Sequence, residues 1–263
     1  MKISFSRQII LYVLLLAGVI AVFEMTDIDR QVQDKFYVHP GEKKSARRWL
    51  VNKDEPVGKG VFYIGAKALV IVIGITCGVV TVASFIKPSV FKYRRIVAFA
   101  SFLQPYMIKY RKPCLLMCLS IIFVPLIVAG AKKFTNVHTP SQTIPYGGDR
   151  PYVKVMERFP KDAYLGSRGE GYPAGHATGG FAMMMLYFAF NDRRWKILGL
   201  LAGLTMGWVM GLYQTLNGQH FLSHTFVTMI ASWIVILIIY RLVGDREFLK
   251  IGTRDQEPGT MTS

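Results

Sequence analysis

Apolar residues in this chain gather into runs of helical length, separated by short seams rich in Lys and Arg. A hydrocarbon layer about 30 Å thick needs roughly 20 helical residues to cross it. Six runs approach that length: Gln8 to Phe23, Val61 to Ile86, Cys114 to Ala131, Ala174 to Phe190, Ile197 to Leu216 and Phe221 to Tyr240. Lys67 interrupts the second near enough to one end to snorkel. A seventh run, Ile96 to Met107, has only 12 residues and includes Pro105, which predicts an interfacial or re-entrant segment. The pattern as a whole predicts an all-α fold, a bundle of six transmembrane helices with a long outer-side loop and interfacial helices.

Local features refine that picture. Lys2 and Arg7 precede the first run as in a secretory signal, but Glu24 follows directly with no small-residue cleavage pattern, so the run reads as a retained anchor. The fifth run carries Gly199, Gly203, Gly207 and Gly211, a stripe of missing side chains along which another backbone can approach closely. Gln214 continues that stripe and is expected to face protein. Residues 24 to 60 mix charge signs, carry Tyr37 and Trp49, and read equally well as an amphipathic stretch on the outer surface or as a solvated loop. The organisation expected is residues 1–131 with three transmembrane helices, 132–240 as the catalytic core, and 241–263 as a cytoplasmic tail, all one integrated membrane domain.

Composition fixes class and orientation. The chain is 52% apolar yet carries 32 Lys and Arg against 16 Asp and Glu, a formal net charge of +16. Nucleic-acid binding would need one contiguous basic face, whereas these cations are spread over seams beside apolar runs, where they set topology and meet anionic lipid. With the N-terminus inside, the segments 1–7, 87–113, 191–196 and 241–263 hold 16 cations and five acids. The outer segments, 24–60 and 132–173, are more nearly balanced, so both termini are expected in the cytoplasm. Cys77, Cys114 and Cys118 all fall inside apolar runs and read as packing residues.

The chemistry lies with the histidines. His39 and His138 sit in loops, but His176, His220 and His224 all fall at the outer ends of the fourth and sixth runs, next to a loop bearing Arg150 and Arg168. Gly171-Tyr172-Pro173-Ala174-Gly175-His176 places a turn and a helix N-terminus around His176, where free N–H groups favour an anion. Arginine forks and the pair Lys132 and Lys133 suit phosphate oxygens. His220 and His224, four apart, share a helix face. Together these residues predict a phosphate site with paired imidazoles. Three imidazoles could alternatively bind zinc.

These residues resemble the type-2 phosphatidic acid phosphatase superfamily, integral-membrane lipid phosphatases related to vanadium haloperoxidases, whose pattern is K-x6-R-P, then P-S-G-H, then S-R-x5-H-x3-D. Arg150-Pro151 matches the end of the first element, Pro173-Ala174-Gly175-His176 the second with Ala for Ser, and Gln214-x5-His220-x3-His224 the third. The strings Tyr146-Gly147-Gly148, Pro173 to Phe181 and His220 to His224 look like a bacterial branch acting on envelope lipids such as lipid A.

The resemblance implies that His220 attacks phosphorus to form a phosphohistidine and that His176 protonates the departing oxygen, then activates water. It implies that Arg150, with Lys133 or Arg168, Gly175 and the position of Gln214, holds the phosphate oxygens, and that no metal or other cofactor takes part. Three departures stand out. Thr143 occupies the lysine position of the first element, Gln214 stands where the family has Arg, and His224 stands where an Asp orients the nucleophile. The implied substrates are a membrane phospholipid, a lipid A phosphate or a prenyl pyrophosphate. A lipid-to-lipid phosphotransferase and a non-catalytic lipid carrier are the competing readings.

Overall fold

The computed structural model describes residues 4–38, 49–160 and 168–243. The expected tail beyond Val243, part of the outer stretch 24–60 and part of the loop 132–173 therefore lie outside the described residues. Among the described residues, five helices are long and apolar enough to cross a membrane. They are α1 (Phe5–Met25), α3 (Pro56–Ala83), α4 (Arg94–Lys132), α6 (Arg193–Leu216) and α7 (Leu222–Val243), with a short α2 (Ile28–Asp34) after α1. A further short helix, α5 (Thr178–Ala182), is flanked by 3-10 turns Gly175–Ala177 and Met183–Phe188. Among the described residues there is no strand, only isolated bridges.

Two expectations about elements change. Ile96 to Met107 is neither interfacial nor re-entrant: it continues without a break into Cys114 to Ala131 as the 39-residue helix α4, despite Pro105, Pro113 and Pro125 inside it. A proline costs a helix one hydrogen bond and a kink, which neighbouring helices can absorb in a membrane protein. The fourth apolar run is not one α-helix either. Its 3-10 turns stretch it, and Ala177, Phe181, Ala182, Met184 and Met185 are almost wholly buried.

The core is built around that central segment. Leu116, Met117 and Val124 of α4 and Val235, Ile236 and Ile239 of α7 pack onto it. On its other side runs the glycine stripe of α6. A Cβ at Gly207 would fall on the Phe181 ring, one at Gly203 on the Met183–Met184 backbone, and one at Gly199 would lie 2.8 Å from Leu186 Cβ. The stripe thus does what its spacing predicts, bringing two backbones into contact, and Gln214 beyond it is buried. The helix α1, by contrast, has no buried residue. The three cysteines are free thiols at the seam of α3 and α4, where Cys118 Sγ donates to the Gly74 carbonyl at 3.5 Å.

The outer stretch after α1 is folded onto one end of the bundle rather than lying flat. Gln33 is fully buried and its Nε2 donates to the Thr215 carbonyl at 3.0 Å, while Asp29 Oδ1 accepts from Ser223 N at 2.8 Å. Trp49 packs with Tyr37, Tyr146 and Phe221, covering Gly218, which takes φ +74° between α6 and α7. Gly207→Leu should force α6 off the central segment and destabilise the protein by about 1–3 kcal/mol, at roughly 2–4 °C of thermal midpoint per kcal/mol. In a detergent melting assay, Gly18→Leu on α1, where a Cβ meets nothing within 4 Å, should leave the midpoint unchanged. Equal midpoints for the two variants would contradict the packing described.

Candidate active site

Four helix ends meet where the loop joins the bundle. Lys132 closes α4, Gly175 and His176 open the central segment, Gln214 stands near the end of α6, and His220 and His224 lie at the start of α7. The loop is folded so as to bring them together. Residues 135–138 run beside 168–172: Gly171 N donates to Val137 O at 2.7 Å, Gly169 N to Asn136 Oδ1 at 2.7 Å, and Thr135 Oγ1 to Tyr172 O at 2.6 Å. Ala174 N then donates to the His224 carbonyl at 3.2 Å, which ties the approach to His176 directly to α7.

The three histidines form one cluster. His220 Nδ1 lies 3.3 Å from His224 Nδ1, and the His176 and His220 rings are 5.4 Å apart between centroids. Tyr172 meets His224 edge-on at 5.1 Å, and Tyr63 meets His176 in the same way at 5.3 Å. His220 and His224 are buried, whereas His176 is exposed along a groove between helices. His220 Nε2 is buried with no hydrogen-bond partner among the described residues. Burial, reinforced by His224, His176 and Lys132, pushes the His220 ring well below its ordinary 6.5, so it is neutral at pH 7. The Gly171 carbonyl lies beside both buried rings.

The cations are distributed differently from the expectation. Lys132, not Lys133, turns into the site: its Nζ donates to the Glu170 carbonyl at 3.0 Å and packs against Gly175, and its charge acts on all three histidines. Lys133 and Arg168 are exposed. Arg150 is held in a tight loop, where its N donates to Gln142 O at 2.9 Å and its O accepts from Ile144 N at 2.7 Å. Its guanidinium pairs with Asp149 at 3.4 Å and stands near His138. Thr143, in the motif-lysine position, is a buried turn residue whose hydroxyl donates to Pro140 O. Gln214 contributes its carbonyl, which accepts from Gln219 N and His220 N at 2.8 and 3.2 Å. Among the described residues, no group of three or more His, Cys, Asp or Glu has the geometry to hold a metal ion.

Two residues were not legible as site residues. Asp29 reaches in from α2 to cap the first turn of α7 through Ser223, and it shares with His224, Lys154 and Tyr172 a small polar cavity. Burial raises its carboxyl, and the Ser223 bonds oppose that rise. No motif links residue 29 to residue 224, and only the fold does. Lys67 lines the groove that exposes His176.

Neither a curated protein nor a solved structure shows a significant match to the chain. The family model described as the PAP2 superfamily matches residues 113–248, just over half the chain, and that span takes in the end of α4, the folded loop and all three clustered histidines. On that match and this cluster, the chain belongs to the PAP2 superfamily.

Proposed function

We propose that the protein is an integral-membrane lipid phosphatase that removes phosphate from a lipid phosphate or pyrophosphate of the lipid A 1-phosphate, undecaprenyl pyrophosphate or phosphatidylglycerophosphate type. Members of the superfamily are generally phosphatases, so phosphate-ester chemistry follows from membership alone. The observation that carries the reading further is the orphaned Nε2 of His220, buried between His176 and His224.

The proton arrangement supports a nucleophile there. Of two facing Nδ1 atoms, one must donate and one accept. If His220 Nδ1–H donates to His224 Nδ1, the His220 Nε2 lone pair is left free. His220 Nε2 then bonds to phosphorus as the bond to the leaving oxygen breaks. His176, protonated beside the bound phosphate anion, delivers its proton to that oxygen. The neutral His176 next takes a proton from water, whose oxygen attacks the phosphohistidine and frees phosphate and His220. Lys132 and the backbone N–H groups at Gly175 and His176 oppose the charge on the phosphoryl oxygens, and the motif resemblance assigns Arg150 to the same role.

We further propose six crossings in a bacterial inner membrane, with both termini cytoplasmic and the site facing the periplasm. The α4 C-terminus, the α6 C-terminus and the α7 N-terminus share the site end, so Gly175–Phe188 must run from that end towards the start of α6. Its 3-10 turns of 3 and 6 residues and its helix of 5 residues together rise about 25 Å, from roughly 2.0 and 1.5 Å per residue.

Purified protein assayed over a lipid panel should release phosphate from at least one lipid phosphate. His220→Ala should abolish that release, and His176→Ala should reduce it by about 10²–10⁴-fold. Full activity in either variant would contradict the assignment. A phosphorylated acceptor lipid in place of free phosphate would indicate transfer to a second lipid. The pH profile adds a separate check. Because His220 titrates below its ordinary 6.5, activity should hold through pH 6.5 and fall only at more acid pH. His224→Asp supplies a carboxylate that stabilises the His220 imidazolium, so the acid limb should move to higher pH. A limb that stays in place would show that the two rings are not coupled.

A further inference from the structure

The groove that exposes His176 runs between α3, α4 and the central segment, encloses about 300 Å³, and is lined by Val70, Ile71, Ile121, Pro125 and Met210 together with Tyr63 and Lys67. Lys67 is the one charged side chain on this lining. It belongs to α3, which lies outside the span matched by the family model, so no motif accounts for it. Exposed apolar residues flank it on both sides, Val61 and Ile64 before it, Leu69 and Ile71 after it. The nearest acids in sequence are engaged elsewhere: Glu55 caps the start of α3 by accepting from Val57 N and Gly58 N, and Asp54 pairs with Lys59. Among the described residues no acid pairs with Lys67, and a cation set so in an apolar, lipid-facing helix is costly and marks a functional position.

The helix is built to aim this cation. Lys59–Gly65 is π-helical, with the Ala66 N–H reaching back to the Val61 carbonyl, and such widened turns recur at functional sites. The residues on either side of this junction, Tyr63 and Lys67, stand four apart on one face. Tyr63 meets the His176 ring edge-on at 5.3 Å, and the Lys67 charge acts on the same ring. Height agrees as well. Sixteen residues separate Lys67 from Ala83 at the far end of α3, about 24 Å of helix at roughly 1.5 Å per residue. In a hydrocarbon layer about 30 Å thick, Lys67 therefore lies close to the boundary where lipid phosphates sit.

We propose that Lys67 binds the phosphate of the lipid substrate from the membrane side, opposite Lys132, while the apolar groove below it takes the first part of the lipid chain. Lys67 thereby supplies a cation to a site that has Gln214 where the family carries Arg. The proposal deepens the phosphatase reading and rests on it for the identity of the substrate.

The test uses full-length protein in detergent, with didecanoyl phosphatidic acid as substrate and inorganic phosphate as a binding probe. Lys67→Met should raise KM at least tenfold with kcat changed less than threefold, and Lys67→Arg should restore most of the loss. Inorganic phosphate should raise the thermal midpoint of the wild type but not of Lys67→Met, whose own midpoint should be no lower than that of the wild type because an unpaired charge has left an apolar face. Unchanged KM and unchanged phosphate protection would overturn the proposal. So would a Lys67→Met protein that unfolds earlier than wild type, since that outcome assigns the lysine a structural role. Decyl phosphate should protect the wild type more than inorganic phosphate does, and Ile71→Trp should erase the difference; a difference that persists would remove the groove from the proposal. A wild type that binds phosphate through Lys67 yet releases none from lipid would overturn the phosphatase reading and leave the anion site standing.

Discussion

Backbone contact between α6 and the central segment Gly175–Phe188 is the constraint on which the rest of the structure depends. Glycines at every fourth position of α6 remove the side chains that would hold the two apart. In lipid, where apolar surface gains little by meeting apolar surface, such close packing is a main source of helix association. It also fixes height. With α6 locked against the segment, the end of α6, the start of α7 and the opening at Gly175 come to one level, and His176 faces His220 across 5.4 Å between ring centroids.

At that level the problem becomes one of polar groups in an apolar bundle. The structure answers with backbone and short side chains before it uses charge. The loop stretches 135–138 and 168–172 bond to each other, Ala174 bonds to α7, and Asp29 caps the buried N–H of Ser223 from 194 residues earlier in the chain. Among the described residues, what remains unsatisfied is confined to a few buried side-chain atoms, and His220 Nε2 is the one within the histidine cluster. On the proposed proton arrangement, an imidazole at position 224 suits such surroundings, because it accepts from His220 without adding a buried negative charge that would need its own partner.

Much of this was legible in the sequence, because helix length, glycine spacing and histidine spacing are local signals. The runs containing α1, α3, α6 and α7, the packed stripe and the pairing of His220 with His224 all follow from periodicity. The failures were of two kinds. The continuity of α4 through three prolines depends on neighbours that no window of sequence contains. The same holds for the site: Asp29 and Lys67 reach the histidines through tertiary folding, and the choice of Lys132 over its neighbour Lys133 turns on a single residue of helix phase at the end of α4. Arg150 was found by its motif, while its place in a loop closed through Gln142 and Ile144 was not.

The central claim, that His220 carries the phosphoryl group, is tested most directly by trapping it. Protein mixed with a lipid phosphate labelled in its phosphate and quenched within a turnover should carry a label that is stable in alkali, labile in acid, and located on His220 by peptide mass spectrometry. The label should build up in His176→Ala, where water is no longer activated, and be absent from His220→Ala. A label on any other residue, or turnover of the same lipid with no labelled protein at any quench time, would contradict the account.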